Sequence, residues 1–227
     1  MKIAIIPARA GSQRIKRKNT KSFCGKPMIT WTIEKLIDSN IFDKILVSTD
    51  DIETQNIAVK LGVEVPFIRP KNLSDSHTAT VPVISHAIQQ VKKLNWNVRY
   101  ACCIYPCTPF LETNDIKESF DILYKNNHNF VYPVVEYPHP IQRSMIRDET
   151  GKIKFKYPEY ELTRTQDLES FFHDSGQFYW GKSEAWLKGL KMHTDGVSIK
   201  IPSWRALDID TNEDWEKAEK IFKGNLL

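Results

Sequence analysis

The sequence predicts an α/β domain built on a mostly parallel sheet, and three observations carry that reading. Short apolar runs alternate with amphipathic helical patterns along the chain, as expected when buried strands are covered by helices on both faces. The first run, Ile3 to Ile6, passes straight into a turn rich in Arg, Lys, Ser and Asn around Gly11. That puts a cationic loop at the carboxyl end of a strand, where open α/β sheets take their ligands. Near the other end, Asp208 and Asp210 stand two apart in Leu207-Asp-Ile-Asp-Thr211, so on an extended chain both carboxylates face the same way.

In chain order, strands are expected at Lys2–Ile6, Lys44–Ser48, Val63–Ile68, Tyr100–Tyr105, Phe130–Val135, Gln177–Trp180 and Val197–Ile201. Pro27 occupies a plausible first helical position, followed by Ile29, Ile33, Leu36 and Ile37 on one face. Val81, Ile84, Ile88 and Val91 repeat at helical spacing, as do Ile116, Phe120 and Leu123. A last helix shows Trp215, Ala218 and Phe222 behind the cap candidates Asp210 and Thr211. Residues from about 137 to 172 break this rhythm. They carry Pro138, Pro140 and Pro158, a hairpin signal at Asp148-Glu-Thr-Gly151 and many aromatics. The segment reads as an inserted arm on a single domain of residues 1–227, and its aromatics suit either a protein interface or a sugar-binding wall.

Composition narrows the function. The 227 residues, 41% hydrophobic and 26% charged, suit one folded α/β domain. The net charge of +4 is mild and its basic residues gather in the first loop, which indicates a ligand site and not a nucleic-acid footprint. No run approaches the roughly 18 apolar residues of a membrane helix. The opening apolar stretch is cut short by Arg9 and the basic cluster, which argues against a signal peptide. Of Cys24, Cys102, Cys103 and Cys107, the adjacent pair points to opposite faces of a strand and cannot share a metal comfortably. Reduced thiols in a cytoplasmic protein are the expectation.

The first loop is neither a P-loop nor a dinucleotide fingerprint, since G-x-x-x-x-G-K-[ST] and G-x-G-x-x-G are both absent. Its chemistry is still that of a phosphate cradle. Gly11 allows a bend, backbone N–H groups can line an anion-binding concavity, and Arg9, Arg14, Lys16, Arg17 and Lys18 supply opposite charge. Asp208 and Asp210 have two readings. Mg²⁺ takes one or two carboxylates plus substrate phosphates and waters; alternatively Asp210 caps the helix that follows.

Taken whole, Ile-Pro-Ala-Arg-x-Gly-Ser-x-Arg-x-x-x-Lys-Asn, ending at Asn19 and followed by Gly25-Lys-Pro-Met28, resembles the opening of the cytidylyltransferases that activate nonulosonic (sialic-type) acids. The resemblance covers nearly the whole chain. Val47-Ser-Thr-Asp-Asp51 is similar to the family's second strand and its polar exit, and Leu207-Asp-Ile-Asp-Thr211 to its metal-binding motif. The resemblance implies a Rossmann-like nucleotidyltransferase fold of the GT-A-like kind, with the arm at a homodimer interface. It implies CTP and a nonulosonic acid as substrates, with Mg²⁺ on Asp208 and Asp210 and Arg9 catalytic beside them. Ala8, Arg9, Gly11, Ser12, Gln13 and Asn19 would hold the nucleotide, with Arg69, Ala79 and Thr80 at the cytosine. Tyr105, Asp174 and Gln177 would meet the sugar, and Arg164 and Arg143 its carboxylate. Phe23-Cys-Gly-Lys-Pro-Met28, Arg164-Thr-Gln-Asp167 and His173-Asp-Ser-Gly-Gln-Phe-Tyr-Trp180 look most like the branch that acts on pseudaminic acid. N-acetylneuraminic and legionaminic acids are the alternatives.

Two positions depart from the family pattern. Ala10 replaces a glycine or other small residue, which is tolerable unless φ is positive there. Gln13 stands where a triphosphate-contacting lysine is usual, and loss of a preorganised cation at a reacting phosphate costs roughly 10²–10³ in rate. A nucleotide-binding homologue without catalysis is the rival that Gln13 supports.

Overall fold

The structure is a computed structural model that describes residues 1–12 and 14–224. Strand β1 (Lys2–Pro7) leads through the cationic loop to a small hairpin, β2 (Ser22–Phe23) and β3 (Lys26–Pro27), and then to helix α1 (Met28–Ser39). Then come β4 (Lys44–Ser48), α2 (Ile52–Lys60), α3 (Thr80–Lys93), β5 (Tyr100–Ile104), α4 (Thr113–Lys125) and β6 (Phe130–Glu136). The arm holds β7 (Met145–Arg147) and β8 (Ile153–Phe155) and rejoins the body at β9 (Phe172–Asp174). The chain closes with β10 (Phe178–Lys182), α5 (Ser183–Leu187), β11 (Gly196–Lys200) and α6 (Asn212–Gly224).

The main sheet runs β11-β6-β10-β5-β1-β4, with β9 also paired to β6. Pairs β1–β4, β1–β5 and β6–β11 are parallel, while β10 runs antiparallel between β5 and β6. Helices cover both faces. Ile29, Ile33, Leu36, Ala58, Ile116 and Leu123 pack on one side; Ile84, Ala87, Ile88, Val91 and Trp186 pack on the other. Cys102 and Cys103 are buried on opposite faces, as strand alternation requires.

Several local expectations change. Val63–Ile68 forms no regular strand; the isolated bridges Leu46–Glu64 and Thr49–Ile68 tie it to β4 and the residue after it, and Lys44 Nζ donates to Glu64 Oε1 at 2.6 Å. Pro66 lies inside that run, and without an N–H it cannot donate to a ladder. Pro27 is the N-cap of α1 and not its first helical residue. Helix α2, capped by the Asp51 side chain accepting from Thr54 N at 3.0 Å, and the three-residue strand β9 were not anticipated. The hairpin signal at Asp148–Gly151 does join β7 to β8.

A third, smaller cluster decides where the chain ends lie. Ile15 of the loop, Phe23 of β2, Met28, Phe110, Ile209, Trp215 and Ala218 are buried together. Phe23 meets Trp215 edge-on at 5.4 Å and Phe222 at 5.3 Å between ring centroids. Burying these rings removes apolar area from water at about 25 cal/mol per Å², and it clamps α6 against the N-terminal loop.

Candidate active site

Burial of the residue between them aims the acidic pair. Ile209 is 1% exposed, so on the extended stretch before α6 its neighbours Asp208 and Asp210 turn the other way. They face the loop that leaves β1, which is itself pinned by buried Ile15. Arg14 Nη2 lies 2.5 Å from Asp210 Oδ2, and Lys18 Nζ 3.3 Å from Asp210 Oδ1. The cationic loop and the acidic couple, some 190 residues apart in sequence, therefore meet across one cavity of about 460 Å³.

The loop is held by side chains more than by glycine. Ala10 N–H donates to Asp50 Oδ1 at 2.9 Å, and Asn19 Nδ2 donates to Arg9 O at 3.0 Å. Arg9 folds back to donate from Nη1 to Gly11 O at 2.7 Å. Gly11 does not adopt a left-handed φ, and a Cβ there would meet Arg9 Nη1 at an ordinary 3.5 Å. The expected need for glycine's freedom is thus not what bends this loop. Ala10 has no positive φ either. Ala8 is fully buried and spends its N–H on Ser48 O at 2.9 Å, so it anchors the loop behind the cavity. Arg9, Ser12 and Asn19 line the cavity, and Gln13 lies outside the described residues.

Burial and the neighbouring charge of Asp210 push the Asp208 carboxyl above the usual carboxylate range, with Lys18 opposing them. Two hard oxygen donors that repel each other at the edge of a polar cavity suit a divalent cation completed by ligand oxygens and water. Among the described residues no cluster of three His, Cys, Asp or Glu side chains could hold a metal ion.

A second cleft of about 250 Å³ shares Pro7, Arg9, Ser76 and Tyr105 with the main cavity. Its buried wall is Arg69, 3% exposed, with Nη2 3.8 Å from Asp50 Oδ1. Arg69 Nε and Nη2 have no hydrogen-bond partner among the described residues. Burial weakens its hold on the proton, and Asp50 offsets that. A buried guanidinium with free donors calls for acceptor atoms of a ligand. Thr78 and Thr80 line the same cleft, at the start of α3. Ala79, the N-cap of α3, is exposed beside them.

Opposite the loop, the chain from β9 to β10 forms a wall. β9 and β10 lie along the same edge of β6, and Ser175, Gly176 and Gln177 between them enter the cavity lining with Tyr105. Gln177 is 4% exposed; its Nε2 donates to Arg205 O at 2.5 Å, and its Oε1 has no partner among the described residues. Asp174 stands behind this wall, its carboxylate engaged by groups of the protein. Arg143 and Arg164, on the arm, do not line the cavity; Arg164 Nε donates to Asp167 Oδ2 at 2.8 Å, largely in solvent.

Tyr105 to Phe110, which the resemblance implies as a sugar-pocket segment, lines the cavity, Cys107 included, whereas sequence reasoning missed Arg205 and Ser175 in the same lining. Arg205 Nη1 donates to Asp115 Oδ2 at 2.6 Å, and both side chains are largely buried. Only its position three residues before Asp208 could have drawn attention to it. Cys107 Sγ donates to Asn19 Oδ1 at 3.4 Å. Burial pushes its thiol up to about 12, so it stays a neutral donor.

The family model described as cytidylyltransferase matches residues 3–226. The chain belongs to the cytidylyltransferase family. It is 37% identical over 224 residues to a pseudaminic acid cytidylyltransferase of Campylobacter jejuni, an alignment covering 98% of this chain and 97% of the relative. A CMP-N,N'-diacetyllegionaminic acid synthase of Legionella pneumophila is 26% identical, with 98% and 97% covered. Among solved structures, a CMP:2-keto-3-deoxy-manno-octonic acid synthetase complexed with CTP superposes with a TM-score of 0.70 at 14% identity, covering 99% of each chain. A 4-diphosphocytidyl-2C-methyl-D-erythritol synthase from Anaerococcus prevotii superposes at 0.66 and 14% identity, covering 98% of each chain. These two show the nucleotidyltransferase fold. The cationic loop and the Asp-x-Asp tail of this chain both line the cavity.

Proposed function

We propose that this protein couples CTP to a nonulosonic acid, pseudaminic acid foremost, giving a CMP-sugar and pyrophosphate. The observation that carries the reading is the meeting of Arg14 and Lys18 with Asp210, at 2.5 and 3.3 Å, across a polar cavity. Full-length similarity to pseudaminic acid cytidylyltransferases supports the choice of acid. In the reaction, the anomeric hydroxyl oxygen attacks the α-phosphorus and the bond to the pyrophosphate oxygen breaks. Arg9, Ser12 and Asn19, with Ala8 and Gly11 shaping the loop, hold the nucleotide phosphates and ribose in line. Arg69 supplies donors to cytosine acceptors, with Thr80 and Ala79 beside it. Asp208 and Asp210 would hold Mg²⁺, which supplies charge neutralisation at the reacting phosphate. At an effective dielectric of 20, one charge pair at 4 Å is worth about 4 kcal/mol, enough for roughly a thousandfold in rate if felt at the transition state.

On the acceptor side, Tyr105 and the unpartnered Gln177 Oε1 offer hydrogen bonds to sugar substituents. The acid's carboxylate calls for Arg143 or Arg164, and these would come from the arm of a second subunit. The exposed apolar residues of that arm support a homodimer: Leu162 is 95% exposed, and Met145, Ile146 and Ile153 join it. No described helix is long and apolar enough to cross a membrane, and a cytoplasmic biosynthetic role fits the reduced thiols. The test is pyrophosphate release from CTP with pseudaminic, legionaminic and N-acetylneuraminic acids in turn. Preference for pseudaminic acid is expected; the legionaminic relative makes that acid the second choice. CTP binding without release on any acid would overturn the reading.

A further inference from the structure

We propose that Asp174 is a positioning residue for the acceptor half of the reaction, setting the cavity wall without touching the acid. The inference rests on the cytidylyltransferase reading above. Its Oδ1 accepts from Gly176 N at 2.9 Å; its Oδ2 accepts from Tyr179 Oη at 2.6 Å and lies 2.8 Å from His193 Nε2. Three partners use up most of what a carboxylate can accept, which leaves little for a sugar.

Each partner leads somewhere useful. Gly176 has φ +65°, a left-handed conformation that favours glycine, and fixing its N–H on Asp174 sets the direction in which Gln177 leaves. Gln177 then presents its unpartnered Oε1 from the cavity wall. Tyr179 is 3% exposed, and burial lifts its phenol so that it stays a donor. Its ring meets Tyr105 edge-on at 5.6 Å, and Tyr105 Oη lies 2.7 Å from Thr80 Oγ1. The relay therefore runs from His193 on the surface, through Asp174 and Tyr179, to the ring between acceptor wall and nucleotide cleft. His193, its ring edge-on to Tyr132 at 5.2 Å, is the outer anchor.

The experiment measures steady-state kinetics, direct CTP binding and amide exchange on Asp174→Ala, Asp174→Asn and His193→Ala. Asp174→Ala should raise KM for the acid about tenfold, with CTP affinity held within about threefold. Asn retains an oxygen for Gly176 N, so Asp174→Asn should recover most of the loss. Exposed His193→Ala should shift the acid KM the same way by about threefold. Exchange at Gly176 and Gln177 should quicken in Asp174→Ala whichever acid is used. Should that variant fail to fold, Tyr179→Phe takes its place, with the same expected rise in acid KM. If the wild type releases no pyrophosphate with any acid, the substrate reading fails and the exchange result alone decides for Asp174. Unchanged exchange, or equal losses of acid and CTP affinity, would overturn the proposal.

Discussion

The two halves of the site are built in opposite ways. On the nucleotide side, charges from both ends of the chain are already paired: Arg14 and Lys18 with Asp210, Arg69 beside Asp50. They rest on a buried cluster that includes Ile15 and Ile209. On the acceptor side, the wall Ser175-Gly176-Gln177 is firm, while the arm that carries Arg143 and Arg164 presents its apolar residues to water. The comparison teaches that one chain brings the cationic loop and the acidic pair together on its own, whereas on the proposed reading recognition of the acid would draw on the arm of a second subunit.

Four substitutions would break or sharpen that contrast. The largest effect is expected from Asp210→Ala, which should cut pyrophosphate release about a thousandfold while circular dichroism stays native. Normal turnover would remove Asp210 from the chemistry. Next, Phe23→Ala should cost about 3–5 kcal/mol in denaturant unfolding, because a fully buried ring between Trp215 and Phe222 is lost. Activity should fall with it as the two chain ends part. Third, Ile153→Glu on the exposed arm should leave CTP binding intact, shift sedimentation toward monomer and raise the acid KM about tenfold. An unaltered sedimentation profile would mean the arm is not the interface.

The smallest effect concerns stability. The Asp208 carboxyl is raised by burial first and by Asp210 second, so the folded state takes up its proton more readily than the unfolded chain. Its contribution is therefore present at low pH and is lost as pH rises through that raised value. In metal-free buffer at neutral pH, Asp208→Asn should raise Tm, by only about 1 °C, since the partly open side chain is screened by water. The same change should abolish turnover, so stability and function would move in opposite directions.

What could be read without coordinates follows from how local the cause is. The loop after β1 and the Asp-x-Asp tail announce themselves by residue type and spacing, and four helices by their apolar repeats. The run from Val63 to Ile68 misled because its apolar character is strand-like while Pro66 denies it a ladder. Arg205 was invisible because its meaning lies in Asp115, 90 residues away. Asp174 drew attention as a polar residue in an aromatic stretch, but its direction toward Tyr179 and His193 depends on where β9 joins β6. Arg143 and Arg164 were chosen for their charge, and a single chain leaves both outside the cavity.

Strand β10 has one more consequence. Strands β9 and β10 run the same way along β6, but their pairing shifts by three residues, from Val134–Asp174 to Val131–Trp180, and the extra residues fall at Ser175–Gln177 in the cavity lining. On the proposed reading, changes of side chain there would reshape the seat for a new carbohydrate while leaving the cationic loop and Arg69 untouched. A lineage that keeps one activated donor and diversifies its sugars could vary this short turn first.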